Sequence, residues 1–302
     1  MFFSFTPYHR PMLWGQELWI LSAYSGMESI VKDGLYAGKT LSQLVEALGP
    51  ALTGNEAYER YGNEFPLLIK FIESNLPLSI QVHPTDAVAQ KHGRGSIGKT
   101  EMWYALANEK KGSIYTGLKN RLTPKTYAEH VQSHSIVDDL ACYYPKEGDC
   151  FFLPAGRIHA IGADCHLLEV QQSNDLTYRI YDYDRKDANG NPRELHTALA
   201  AEAIDYTVLP DYETHYERKF NAPMPLVQCD YFQTTAYQVT DKVCIDWSQR
   251  DCFLAIIVTK GQGSLIIDGE TVTVGTGDTL LLPATTSKVE AFGSLTFVTI
   301  TI

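Results

Sequence analysis

The pattern of apolar and polar positions changes period several times along the chain, and each change predicts an element. Residues 1 to 35 hold short apolar segments that read as strands. Leu41, Leu44, Val45 and Leu48 then fall at helical spacing after Thr40, and Gly49 and Pro50 stop the pattern. Residues 51 to 66 are polar and read as loop or helix. From residue 67 the period becomes two. In the stretch from Leu76 to His83, Leu78, Ile80 and Val82 share one face while Ser79, Gln81 and His83 share the other. A polar face ending in Gln, one residue, His suits a wet cavity better than a core. Pro124 opens a second helical stretch expected over 125 to 141, strands resume at Tyr143, and alternating segments follow at 167 to 172 and from Leu176. An Ala-rich helix is expected from Leu195 to Tyr206, then a Pro-containing linker over 207 to 226.

One stretch stands out. From Gly148 to His159 the spacing is Gly, five residues, Pro154, one residue, Gly156, two residues, His159. Glycine permits positive φ at the turn, and proline is tolerated where strand pairing ends. This spacing resembles the second sequence motif of the cupin β-barrels. A lone histidine at a hairpin is more often a core residue than a ligand, but His159 is not alone. The tail repeats the pattern: Gly277, Asp278 and Pro283 match Gly148, Asp149 and Pro154, and eleven residues past each glycine stand His159 and Lys288. Two barrels of one design are expected, only the first keeping its metal ligand.

Bulk properties narrow the function. The 302 residues suffice for one large or two modest domains, and 44% hydrophobic with 20% charged residues is the profile of a soluble globular chain. No apolar run reaches the ~18 residues of a spanning helix and the N-terminus lacks a secretory pattern, so a cytoplasmic protein is expected. Cys142, Cys150, Cys165, Cys229, Cys244 and Cys252 show no metal or redox spacing and read as free thiols, a Cys150 to Cys165 bridge being conceivable but unforced. The net charge of −11 argues against nucleic acid or an anionic membrane as partner, and an anionic substrate would need a local positive site.

Gln81, His83, Glu101 and His159 are the candidate metal ligands. Imidazole nitrogen with carboxylate or amide oxygen is a zinc-type donor set, and a single carboxylate leaves a divalent ion net positive, hence a Lewis acid. Glu101 lies in an apolar strand pattern, where a charge requires a partner. The strings from Leu78 to Pro84, Gly98 to Tyr104, Leu153 to Gly162 and Gln171 to Asp182, with the early Trp14 and Gly15, resemble type I mannose-6-phosphate isomerases of the short bacterial form. That resemblance implies a mainly β chain of two cupin-type (jelly-roll) barrels with a small helical insertion in its N-terminal part. Residues 1–220 would be the catalytic domain with helices near 38–62 and 122–141, and 221–302 a second barrel without metal ligands. It implies one Zn2+ per chain on Gln81, His83, Glu101 and His159. Arg179, Lys99 and Asp175 would be catalytic, with Lys99, Arg179 and Ser79 contacting a phosphorylated hexose, in a monomer or weak homodimer. The expected reaction interconverts mannose 6-phosphate and fructose 6-phosphate through an enediol, with metal and Arg179 stabilising oxygen charge and Lys99 or Asp175 carrying the proton.

Three other readings have their own discriminators. Residues 93 to 100 satisfy the P-loop pattern letter for letter, but that motif works only between a buried strand and a helix. The same loop, with Lys91, His92 and Arg94, offers cations and amides that a phosphate could use. A cupin dioxygenase or an isomerase of another sugar keeps the fold; oxygen consumption tests the first. A non-catalytic sugar-binding module predicts binding without turnover.

Overall fold

The computed structural model describes residues 1–108, 110–186 and 190–302. The protein is mainly β, with strands gathered into three sheets. Contacts divide the chain into two interleaved units: residues 1–8, 19–69 and 215–302 in one, and residues 9–18 and 70–214 in the other. One change of unit falls between Thr214 and His215, close to the boundary expected near residue 220, while residues 1–8 and 19–69 group with the C-terminal residues.

The first unit holds a nine-stranded sheet centred on two long antiparallel strands, Leu254–Ile267 and Lys288–Thr301. Its core includes Leu254, Ile256, Leu265, Val289 and Phe297, which pack on one face by the period of two. The helix Leu41–Leu48 forms as expected. Thr40 accepts from the Gln43 N–H while the Gln43 side chain accepts from the Thr40 N–H, and Leu41, Leu44 and Val45 are buried. Residues 51 to 66 supply two further short helices, Pro50–Thr53 and Asn55–Tyr61.

The second unit contributes to a six-stranded sheet and holds a five-stranded one. The five-stranded sheet runs in the order Tyr178–Tyr181, Ile80–Val82, His159–Ile161, Ile114–Leu118 and Leu140–Tyr143. One face, with Ile80, Val82, Ala160 and Ile180, packs into an apolar cluster with residues of the helices Pro124–Gln132 and Thr197–Ala203. The six-stranded sheet places Glu101–Ala105 between Cys150–Leu153 and Cys165–Gln172. Both sheets end in edge strands and do not close, so the expected closed barrels are replaced here by open sheets.

Local departures have local causes. The strand expected from Leu76 shrinks to Ile80–Val82 between Pro77 and Pro84, which have no N–H for a ladder. The helix expected over 125–141 ends at Gln132; His134 takes a φ of 59°, a 3-10 turn covers Ile136–Asp139, and a strand starts at Leu140. All six cysteines are free thiols.

The repeat seen in the sequence is a repeated turn. Asp149 accepts from the Lys146 N–H at 2.7 Å and Asp278 from the Gly275 N–H at 2.8 Å, with Gly148 and Gly277 at φ of 87° and 92°. Each turn feeds a strand, Cys150–Leu153 or Thr279–Leu282, then a proline whose carbonyl accepts from the residue three further on. The next strand begins at His159 in one copy and Lys288 in the other. A Cβ on Gly277 would meet nothing within 4 Å, so the cost of Gly277→Ala is conformational alone. We expect that substitution to lower the free energy of unfolding in urea by ~1–2 kcal/mol without affecting metal binding.

Candidate metal centre

Pairing register places the polar side chains. In the five-stranded sheet Arg179 pairs with Gln81, Gln81 with His159, and His159 with Thr116, a polar row across four strands. In the six-stranded sheet Gln171 pairs with Glu101 and Glu169 with Trp103. A side-chain period of two puts Gln81 and His83 on the face opposite Ile80 and Val82, so the row is the counterpart of the helix-covered face.

His83, Glu101 and His159 converge: their ligand atoms all lie within 4.8 Å of one another, and all three residues are buried. Glu101 Oε2 is 3.5 Å from His83 Nε2, and Oε1 is 3.3 Å from His159 Nε2. The Gln81 amide nitrogen is 3.2 Å from His159 Nε2, which brings the fourth expected ligand to the same cluster. Each imidazole donates its Nδ1–H to a main-chain carbonyl, His83 to Leu176 and His159 to Arg157, both at 2.8 Å. That assignment leaves each Nε2 an acceptor, approached by the Gln81 amide at His159 and by Lys99 Nζ at His83, the tautomer a metal requires.

The charges agree with a cation site. Burial drives His83 well below its ordinary value, with the neighbouring Lys99 charge adding to the effect, and holds His159 down to about 4. Burial pushes the Glu101 carboxyl up to about 7, against the pull of Lys99. Lys99 Nζ sits 2.8 Å from Glu101 Oε2 and 3.2 Å from His83 Nε2. Even so, both buried Glu101 oxygens lack a well-directed hydrogen bond. Two imidazole nitrogens and a carboxylate converge with the Lys99 ammonium at one side and both Glu101 oxygens short of a well-directed bond, a donor set that fits a divalent metal.

A network around the cluster was not legible in advance. Lys70, buried within the strand Leu67–Ser74, lies 3.3 Å from Glu169 and 3.8 Å from both Glu17 and Asp175. Burial opposes the Lys70 charge, but these carboxylates overcome it and raise its pKa. For Glu169 burial is likewise outweighed by Lys99, Lys70 and the Trp103 indole N–H at 2.8 Å, leaving it at about 2. Trp103 in turn meets the His159 ring edge to face at 5.4 Å. A Lys inside the run Leu-Leu-Ile-Lys-Phe-Ile was the available signal, since a buried ammonium demands carboxylates.

A cavity of about 290 Å³ adjoins the cluster, lined among others by Ser79, Gln81, Lys99, Asp175, Arg179 and Arg193. The expected substrate contacts therefore share one cavity with one metal ligand, near the lower bound of ligand sites of ~300–1,000 Å³. The strand starts at Tyr178, so Asp175 lies in the loop that precedes it. It pairs with Arg10 at 2.9 Å. Arg179 does not take Asp182, which is held by Arg185 and Arg193 instead.

Residues 93–100 precede the strand Glu101–Ala105 and follow the helix Asp86–Lys91, the reverse of the order a P-loop needs. Within that loop Gly98 is pressed against the backbone of Pro84 and Asp86, where a Cβ would come within 2.4 Å of the Pro84 carbonyl oxygen. Gln172 and Asn174 bind its main chain at Thr100, Ile97 and Gly98. Lys91 pairs with Glu202, and His92 contacts the Tyr178 hydroxyl at 2.9 Å.

This is a candidate metal centre beside a cavity on a mainly β scaffold. The profile of the phosphomannose isomerase type I catalytic domain matches residues 10–119, and that of the mannose-6-phosphate isomerase cupin domain matches residues 224–302. The mannose-6-phosphate isomerase ManA of Bacillus subtilis is 35% identical over 269 residues, covering 88% of this chain and 83% of its own. The mannose-6-phosphate isomerase of Streptococcus mutans is 33% identical over 294 residues, 92% of this chain and 86% of its own. The crystal structure of the Bacillus subtilis mannose 6-phosphate isomerase superposes with a TM-score of 0.89 at 29% identity, over 100% of this chain and 99% of that one. The chain belongs to the type I phosphomannose isomerase family.

Metal binding must displace the Glu101 proton, and the sign follows. The folded-state pKa of Glu101 is raised, so in the metal-free protein its protonated form is favoured below about 7, whereas burial holds His159 down to about 4 and His83 well below its ordinary value, so both favour the neutral form. Zinc affinity should thus fall as pH drops from 8 to 6, with ~one proton released per ion at pH 6 and almost none at pH 8. Titration calorimetry in buffers of different ionisation enthalpy reads both quantities.

Proposed function

We propose that this chain interconverts mannose 6-phosphate and fructose 6-phosphate, with one zinc ion per chain held by Gln81, His83, Glu101 and His159. The observation that carries the reading is the buried convergence of two imidazole Nε2 acceptors on Glu101 beside a cavity that also presents Lys99 and Arg179. When bound, the metal supplies Lewis acidity toward a sugar oxygen.

The chain's own residues do the rest. Arg179 lines the cavity with its Nε buried and lacking a partner among the described residues, so it can donate to the oxygen on which enediolate charge develops. Lys99 Nζ stands between cavity and cluster and is our assigned carrier of the proton between carbons 1 and 2 of the sugar. Asp175 is the weaker candidate, since Arg10 and Lys70 engage both its oxygens; its part is to fix that wall of the cavity. Ser79, 3.5 Å from Gln81 Oε1, orients the amide ligand and faces the sugar.

We read the facing sheets around residues 70–214 and the strands of 221–302 as two cupin-type jelly rolls, the second without ligands and structural. Lys288, at the position of His159, is exposed and lies 3.4 Å from Glu290. We assign the protein to the cytoplasm as a monomer or weak homodimer.

A coupled assay with fructose 6-phosphate, run before and after chelation, tests the reading: activity should vanish with the metal and return with zinc. Undiminished turnover of metal-free protein would sink it. Arg179→Ala should retain its metal and lose ~10²-fold or more in kcat; loss of metal instead would remove the role assigned to Arg179.

A further inference from the structure

The cavity and its immediate surroundings are electrically uneven. On one side Arg10, Lys70 and Lys99 meet Glu17, Glu169 and Asp175, three cations against three carboxylates. On the other, Arg179, Arg185 and Arg193 gather near a single buried carboxylate, Asp182. Three guanidinium charges less one carboxylate leave an excess of two positive charges. Nearby Asp184 and Glu194 are largely exposed and lie against His134 and His196.

The geometry is that of a prepared anion site. Asp182 grips Arg193 through two bonds, Nε to Oδ2 at 2.7 Å and Nη2 to Oδ1, which fixes the plane of the guanidinium and leaves Nη1 outside the grip. Arg185 is held by the same carboxylate and by the carbonyl of Pro77, so it supports the clamp without lining the cavity. Arg179 donates Nη1 to the carbonyl of Glu194 at 2.8 Å, and its Nε is the buried atom left without a partner among the described residues. Arginines held this way lose little freedom on meeting a phosphate, which takes paired N–H donors.

We propose that Arg193, clamped by Asp182, is the phosphate-binding group of the cavity, distinct from the Arg179 Nε assigned to the reacting oxygen. This moves the phosphate away from the 91–99 loop, where Lys91 is paired with Glu202 and Arg94 is exposed. The identity of the phosphate ester rests on the isomerase reading; the binding of a phosphate dianion does not. Asp182 is then a positioning residue, acting through Arg193.

The test is titration of the metal-loaded protein with inorganic phosphate, together with initial rates on mannose 6-phosphate. Arg193→Met should bind phosphate at least about tenfold more weakly and raise KM by a similar factor, with the effect on KM exceeding that on kcat. Arg193→Lys, which keeps a charge for Asp182, should recover part of the phosphate affinity. Wild-type phosphate affinity in Arg193→Met, or its loss in Arg94→Met instead, would overturn the assignment. If phosphate binding follows the expected order but the wild-type protein turns over no mannose 6-phosphate, the phosphate site stands and the isomerase reading falls.

Discussion

The burial of the Glu101 carboxylate is the constraint on which the second unit depends. Removing an anion from water costs several kcal/mol unless the interior supplies compensating charge. The surroundings answer that cost in layers: Lys99 reaches Glu101, Glu169 lies near Lys99 and Lys70, and Lys70 also draws in Glu17 and Asp175. Each ion is held by the next, and Trp103 ties the network to the ring of His159 through Glu169. An apolar residue at position 101 would relieve the electrostatic demand, yet it would leave Lys99 buried without its nearest anion. Function and stability are thus coupled through the same carboxylate.

Much of this was legible in the sequence because strand parity is a strong code. Gln81 and His83 share a face by spacing alone, and Glu101 in a run of buried residues announces a need for a partner. His159 was marked by the turn that precedes it. Lys70, Glu169, Arg10 and Glu17 were not found, since a local pattern identifies a buried charge as anomalous without saying what answers it. Their pairing joins distant positions, Arg10 with Asp175 for example, through pairings that periodicity cannot specify. Barrel closure was over-read for a related reason: it depends on which strands meet at the edges, and hydropathy carries no such information.

An acidic protein that takes an acidic ligand faces an opposing long-range field, and the net charge of −11 sets its sign. Such a field is screened within ~8 Å at physiological ionic strength, so recognition rests on charges lining the cavity. The division of that lining into a balanced part and a cationic part lets one cavity hold a neutral sugar ring beside paired charges while meeting an anion elsewhere. The ions of the balanced part neutralise one another and compete little for the ligand.

Both imidazoles of the cluster are oriented by peptide oxygens, those of Leu176 and Arg157. The props that hold the ligands in their working tautomer are therefore written into the path of the main chain. Replacing the side chain of either neighbour leaves its oxygen in place, so the identities of residues 157 and 176 answer to their own contacts, Arg157 to the Phe152 carbonyl and the Tyr212 ring and Leu176 to the cavity wall, rather than to the imidazoles. Damage to the centre would come instead from changes that bend the backbone, including changes remote from any ligand.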